Sequence, residues 1–358
     1  MSIVDLARPE LRDLQPYEAA IQVDDTIRLN ANEAPWSSSN AGDFRRPLNR
    51  YPEIRPARLQ KALAARFGCM PERLLVTRGT SEAIDLLVRA FCRSGLDEIV
   101  TTSPTFSMYA HYARIQDAKL VTVAADPDKN FVPELDALLH ACGENTRLVF
   151  LCSPNNPTGT GLPRTLIRQF LRARGDRSAV VVDEAYIEFS GEASTAELLD
   201  EFPNLIVLRT LSKALAFAGA RCGAVMGPQA VIDILSAIQA PYALSTPVVE
   251  CVEDALSKRR IEEAAERVNE LIAEREALAA SLAGLGFVLK VWPSSANFLL
   301  VKVRDVGAVM AATRKACILL RYFGGELADC VRISIGSPAE NRALLDTLRT
   351  LNESSHVT

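Results

Sequence analysis

The chain has 358 residues, 48% of them hydrophobic and 23% charged, with a formal net charge of −4. This is the profile of a soluble globular protein, and it lacks the basic stripe that nucleic-acid binding needs. No apolar run approaches the ~20 residues of a membrane helix, and the start Met1-Ser2-Ile3-Val4-Asp5-Leu6 lacks the basic and apolar regions of a signal peptide. Eight cysteines are scattered without a C-x-x-C pair, and the histidines His111, His140 and His356 share no metal-ligand spacing. That pattern suits a reducing, cytoplasmic setting with neither a disulfide frame nor a bound metal.

Residues 1–44 read as an irregular, extended arm. Tyr17, Ile27, Leu29 and Trp36 give it apolar content that needs a surface to lie on. A helix follows over about 56–67, with Leu59, Leu63 and Phe67 on one face and Gly68 as its stop. Strand and helix patterns then alternate: strand 74–77, helix 81–92, strand 98–101, a helix starting at Pro104, and strand 120–123. Strand 148–151, helix 164–172, and strands 179–182 and 205–208 complete the series. Short Val/Ile/Leu runs separated by helices predict an α/β domain whose mostly parallel sheet is covered by helices on both faces. Residues 241–283 read as mainly helical, ending at Gly284. Strands near 287–291, 298–303, 318–320 and 331–335, with helices over 306–315 and 339–351, predict a second, smaller α+β unit. The expected division is an arm over 1–44, a large domain over 45–245, and a small domain over 246–358 that begins with a long connecting helix.

Ligands in parallel sheets bind beyond the carboxyl ends of the strands, and four loops there carry polar chemistry. Arg78-Gly79-Thr80-Ser81 opens a helix, so its free N–H groups favour an anion; Ser81 is equally suited to be a plain N-cap. Cys152-Ser153-Pro154-Asn155-Asn156-Pro157-Thr158-Gly159 is a good turn, and it aims Asn156 across the strand ends. Asp183, at the end of a Val-rich strand, is costly to bury without a cation. A protonated pyridine nitrogen is one such cation, a structural arginine another. Tyr186, three residues on, is placed to donate to a ring oxygen.

The fourth loop is the centre of the chain. Strand 205–208 runs into Thr210-Leu211-Ser212-Lys213, and Arg221-Cys222-Gly223 follows a small apolar stretch. An amine in low-polarity surroundings becomes a usable nucleophile. Two hydroxyls with an arginine form a phosphate site. Pyridoxal phosphate requires both, side by side.

The order N-P-T-G, D-E-A-Y, S-K, R-C-G resembles the fold type I pyridoxal-phosphate aminotransferases. Leu29-Asn30-Ala31-Asn32-Glu33, Arg50-Tyr51-Pro52 and Leu208-Arg209-Thr210-Leu211-Ser212-Lys213-Ala214 are more particular, and are similar to the histidinol-phosphate aminotransferase family. The resemblance implies a pyridoxal 5'-phosphate enzyme that transaminates L-histidinol phosphate with 2-oxoglutarate in histidine biosynthesis. The alternatives are an aromatic-amino-acid aminotransferase, a phosphothreonine-type decarboxylase on the same scaffold, or a non-catalytic regulator. The resemblance further implies that Lys213 holds the cofactor and shuttles the proton, while Asp183 pairs with the ring nitrogen. Tyr186 and Asn156 bond the ring oxygen, and Phe106 stacks on the ring where the family often has tyrosine. Thr80, Ser81, Thr210, Ser212 and Arg221 bind the phosphate, though many relatives have aspartate at the position of Ser81. Tyr51 reaches the site of the neighbouring subunit in a homodimer. Tyr17, Asn156, Arg321 and Arg332 bind substrate; the intervening Tyr322-Phe323-Gly324-Gly325-Glu326 departs from the family pattern.

Overall fold

The computed structural model describes residues 2–17, 22, 27–37 and 44–354. Part of the expected arm (18–21, 23–26 and 38–43) and His356 lie outside these described residues.

The larger unit contains α1 (Ala57–Phe67), β1 (Leu74–Thr77), α2 (Thr80–Phe91), β2 (Glu98–Ser103), α3 (Met108–Ile115) and β3 (Lys119–Ala124). It continues with α4 (Leu135–Ala141), β4 (Thr146–Cys152), α5 (Arg164–Arg174), β5 (Ala179–Asp183), β6 (Leu205–Thr210), β7 (Gly223–Met226) and α6 (Gln229–Ile238). Its seven strands are ordered β1-β7-β6-β5-β4-β2-β3, all parallel except β7, which runs antiparallel to both neighbours. Side chains alternate between the two faces, as the period of a strand requires. Val149, Leu151, Val180, Val182, Leu205 and Val207 pack with α1, α5 and α7 (Thr246–Ala255). Leu148, Phe150, Val181, Ile206 and Leu208 pack with α2, α3 and α6. Each fully buried aliphatic side chain contributes about 1.5–3 kcal/mol. That double burial is why these strands read as unbroken apolar runs rather than alternating ones.

Three registers prepare the site. Cys152 is level with Asp183, and Asp183 with Leu208, so the β4, β5 and β6 loops leave the sheet together. Gly223 is level with both Thr77 and Thr210, which brings the turn after β1 beside the end of β6.

After α7 come α8 (Lys258–Ala283), β8 (Val288–Val291), β9 (Phe298–Val303), α9 (Val306–Lys315), β10 (Arg321–Gly324), β11 (Leu327–Ser334) and α10 (Pro338–Ser354). The four strands form an antiparallel sheet ordered β10-β11-β9-β8, with α8, α9 and α10 packed on one face. The other face meets the large unit through two apolar clusters. In one, Trp292, Leu300 and Leu327 meet Ala125 and Phe131; in the other, Phe298 and Ala296 meet Tyr186 and Phe189. Arg275 of α8 ties the units further, donating to the carbonyls of Phe189 and Ala296 at 3.0 Å each.

Several elements differ from the sequence expectation. The helix expected at Pro104 begins at Met108, because Pro104–Ser107 is spent crossing the strand ends. The helical stretch 241–283 is two helices, separated at Leu256-Ser257. The strand expected at 318–320 lies over Arg321–Gly324 instead. The first residues of the arm lie on the large unit: Ile3 and Ala7 are buried beside α2 and α6. Ile27, Leu29 and Trp36 remain 90%, 88% and 72% exposed in the single chain.

Candidate active site

A cavity of about 870 Å³ opens at the carboxyl ends of the strands, between the two units. Thr80, Ser81, Phe106, Asn156, Asp183, Tyr186, Thr210, Ser212, Lys213, Arg221, Arg321 and Arg332 all line it. Of the expected site residues, only Tyr17 and Tyr51 are not among its walls. Both are at the surface, and Tyr51 stacks on Tyr242 with ring centroids 4.6 Å apart.

At its floor, Asp183 is 2% exposed. No arginine pairs with it among the described residues, so the structural ion pair that the sequence left open is not formed. Its Oδ2 accepts from the hydroxyl of Tyr109 at 2.9 Å, and its Oδ1 from the Ala185 amide at 3.1 Å. Burial pushes its pKa up to about 6, against the lowering effect of those two bonds and of Lys213. The carboxylate is thus built in and under-compensated: it sits in an apolar floor and lacks a full counter-charge.

Lys213 is half-buried above it, with Nζ 5.4 Å from the centre of the Tyr186 ring. Its pKa is lowered, first by burial and then by the positive charges of Arg332 and Arg221; Asp183 opposes the shift. Both effects favour the neutral amine, the form that attacks a carbonyl.

On one side of the lysine, the chain forms an anion cradle. Gly79, with φ +79°, is the N-cap of α2 and supplies no side-chain cap, so the first N–H groups of a twelve-residue helix face the cavity. Ser81 is therefore not the N-cap that the sequence allowed; it is the second residue of the helix. A Cβ at Gly79 would sit 2.8 Å from Nη2 of Arg221, so glycine is what lets the guanidinium come this close. The hydroxyl of Thr210 donates to Ser212 Oγ at 3.0 Å, and Arg221 Nη1 donates to the same Oγ at 3.4 Å.

On the other side stand Arg321 and Arg332, opposite each other in the β10–β11 ladder. The Phe323 ring lies 5.2 Å from the first guanidinium and 5.4 Å from the second. Arg332 Nη1 donates to Asn156 Oδ1 at 2.5 Å, which turns the Asn156 amide nitrogen away as a free donor. Its Nε is buried with no hydrogen-bond partner among the described residues. A buried guanidinium with an unmet donor is a site for an anion.

Three supporting residues were not assigned a role from the sequence. Tyr109 is fully buried, stacked on Phe150 with centroids 4.7 Å apart, and reaches Asp183 from 74 positions away. Asn155 locks the two loops that carry Phe106 and Asn156: it donates to the Pro104 carbonyl at 2.8 Å and accepts from Thr105 Oγ1 at 2.7 Å. Cys152 also borders the cavity, and its thiol pKa is raised far above normal by burial and by Asp183. Asn155 and Cys152 lie within the Cys152–Gly159 loop that the sequence marks; Tyr109 had no such hint.

The donor set fits pyridoxal phosphate. It offers an amine for the aldehyde, an under-compensated acid for the ring nitrogen, and a helix start with hydroxyls and a guanidinium for the phosphate. Among the described residues, no group of three or more His, Cys, Asp or Glu side chains could hold a metal, and no helix is long and apolar enough to cross a membrane.

Comparison with known proteins agrees with this geometry. The family model for aminotransferase class I and II matches residues 20–348. A histidinol-phosphate aminotransferase from Xylella fastidiosa is 42% identical over 356 residues, covering 98% of this chain and 97% of its own. The crystal structure of histidinol-phosphate aminotransferase from Sinorhizobium meliloti in complex with pyridoxal-5'-phosphate superposes with a TM-score of 0.77 at 26% identity, over 86% of this chain and 84% of that one. The fold is also that of the Clostridium acetobutylicum histidinol-phosphate aminotransferase, with a TM-score of 0.78 at 21% identity over 86% and 92% of the two chains. With the family model spanning most of its length and a near full-length relative at 42% identity, this protein belongs to the class I and II aminotransferases, in the histidinol-phosphate aminotransferase family.

Proposed function

We propose that the protein transfers the amino group of L-histidinol phosphate to 2-oxoglutarate, giving imidazole acetol phosphate and L-glutamate in histidine biosynthesis, with pyridoxal 5'-phosphate as cofactor. The observation that carries this reading is the arrangement in one cavity of Lys213 and buried Asp183, an anion cradle beside them, and a second cationic pair, Arg321 and Arg332, with an unmet buried donor. One cradle serves the cofactor phosphate and the other cationic pair the anionic end of the substrate, phosphate monoester or dicarboxylate alike; guanidinium forks accept both.

The cofactor, when bound, supplies an electron sink for the substrate's Cα–H bond. Asp183 would pair with the ring nitrogen and keep it protonated. Lys213 would hold the cofactor through its amine and, as a neutral amine, would carry the proton from and to the substrate's Cα. Thr80, Ser81, Thr210, Ser212 and Arg221 grip the phosphate. Tyr186 and Asn156 donate toward the ring oxygen, and Phe106 covers the ring.

Tyr51 and Tyr17 belong to this reading through assembly. We assign a homodimer in which Tyr51 serves the neighbouring subunit's cavity, Tyr17 closes on substrate, and the exposed Ile27, Leu29 and Trp36 are covered. The arm over 1–44, the large domain over 45–245 and the small domain over 246–358 are its functional divisions. Within them the long helix α8 is the connecting element, and the short α7 before it packs on the large core. We assign the enzyme to the cytoplasm.

The test is a donor panel with the cofactor-loaded protein and 2-oxoglutarate, read as glutamate formed. Histidinol phosphate is the preferred donor on this reading. A preference for phenylalanine would assign the protein to the aromatic aminotransferases instead, and carbon dioxide release without keto-acid consumption to the decarboxylases. Lys213→Ala abolishes both turnover and the visible absorbance of the lysine-bound cofactor. Undiminished transamination by that variant overturns the assigned nucleophile.

A further inference from the structure

The tip of the β10–β11 hairpin makes a contact that the catalytic reading leaves unused. Gly324 and Gly325 both adopt left-handed φ, of 74° and 57°, which turns the chain sharply and presents Glu326 toward the large unit. There the Ser103 hydroxyl, at the end of β2, donates to Glu326 Oε1. No ion pair of Glu326 with Arg321 or Arg332 forms among the described residues, although all three line the same cavity. The carboxylate is therefore committed across the cavity mouth and not to the guanidinium groups of its own hairpin. One bond joins the two units at the rim, on the strand pair that carries both substrate-facing arginines.

We propose that Glu326 is a positioning residue: bound to Ser103, it clasps the β10–β11 hairpin over the cavity and sets Arg321 and Arg332 for the substrate's anionic end. The inner strand of the hairpin, β11, is already held by β9, by Leu327 packed with Ala125 and Phe131, and by the Arg332–Asn156 bond. The outer strand β10 exposes Arg321, Tyr322 and Phe323, so the Ser103–Glu326 bond adds an anchor at the tip, on the side of the turn that leads back to β10. A carboxylate suits that task, because it makes a charge-assisted bond to the hydroxyl. The inference rests on the proposed assignment of those arginines to substrate.

The experiment compares Ser103→Ala, Glu326→Ala and the double variant, each cofactor-loaded, by steady-state kinetics with histidinol phosphate and by hydrogen exchange of the 321–334 backbone. Either single change raises KM about three- to tenfold, as loss of one exposed charge-assisted bond warrants, with kcat little changed. The double variant is no worse than the singles, since both remove one contact. Glu326→Gln, whose amide oxygen still accepts from Ser103, recovers most of the loss. Exchange over 321–334 quickens in both single variants. That readout needs no turnover, so it stands even if the donor proves to be another compound; a failed donor assignment leaves it intact, whereas a failed clasp does not. Unchanged exchange in both single variants, or KM effects that add in the double variant, would overturn the proposal.

Discussion

Replacing Tyr109 by phenylalanine removes one oxygen atom and leaves the rest of the floor in place. The ring keeps its stack on Phe150 and its edge contact with Phe106, whose centroid is 5.7 Å away. What is lost is one of the two donors to Asp183. A hydrogen bond to a buried charged group is worth about 1.5–3 kcal/mol, equivalent to roughly one to two pH units. The carboxyl therefore moves from about 6 to roughly 7–8. The direction follows from the bond itself: the hydroxyl stabilises the ionised acid, so its removal favours the protonated one. Cofactor-free protein titrated with pyridoxal phosphate at a series of pH values reads this directly, through the visible absorbance of the bound form. Affinity rises with pH as Asp183 ionises, and in Tyr109→Phe that rise comes one to two pH units later. At neutral pH the variant loses about ten- to hundredfold in kcat/KM. If the midpoint of the binding profile is unmoved and turnover is intact, Tyr109 is only a packing residue and the account of the floor is wrong.

Two further outcomes follow from the same geometry. In Gly79→Ala the new Cβ meets the Arg221 guanidinium at 2.8 Å and the backbone is held at φ +79°. The conformational cost is about 1–3 kcal/mol, and cofactor affinity, read by the same titration, falls at least about tenfold; wild-type affinity in this variant would dismiss the cradle. The other outcome concerns stability without cofactor. Asp183 titrates near 6 in the folded chain and near 3.9 when unfolded, so the native state holds the proton more tightly. The contribution of Asp183 to stability is therefore greatest below about pH 4, falls by on the order of 2–3 kcal/mol as pH rises toward 6, and then levels. Asp183→Asn abolishes this fall, and the difference between the two melting profiles isolates it from the other carboxylates; parallel profiles would refute the buried charge.

The parts of this protein that were legible in its sequence are those in which burial leaves a continuous mark. Val180, Val181 and Val182 are all buried, and a strand covered on both faces has no other way to look. The motif loops were legible because they follow such strands directly. β7 was not: its four residues, Gly223 to Met226, are too short to stand out, and its antiparallel course depends on partners far away in the chain. β10 was misplaced because Arg321, Tyr322 and Phe323 face the cavity and solvent, so apolar Ile318, Leu319 and Leu320 just before it looked more strand-like. The cradle's polar residues could be named from their types. Tyr109 could not, because its place on α3 resembles any core position until the fold brings Asp183 to it. Asn155 lay in a turn where its neighbour Asn156 drew the attention, yet it is Asn155 that pins the loops together.

Cys152 shows how the floor also protects itself. Sulfur anions add readily to aldehydes, and this residue borders a chamber suited to receiving one. Being in the anionic form is what confers that reactivity, and the dry surroundings, together with the neighbouring charge of Asp183, deny it here. The sulfhydryl instead points its hydrogen at the Pro154 carbonyl, 3.4 Å away. Burial, reinforced by one carboxylate, thus silences a competing nucleophile, while burial and two arginines push the Lys213 amine toward its neutral form.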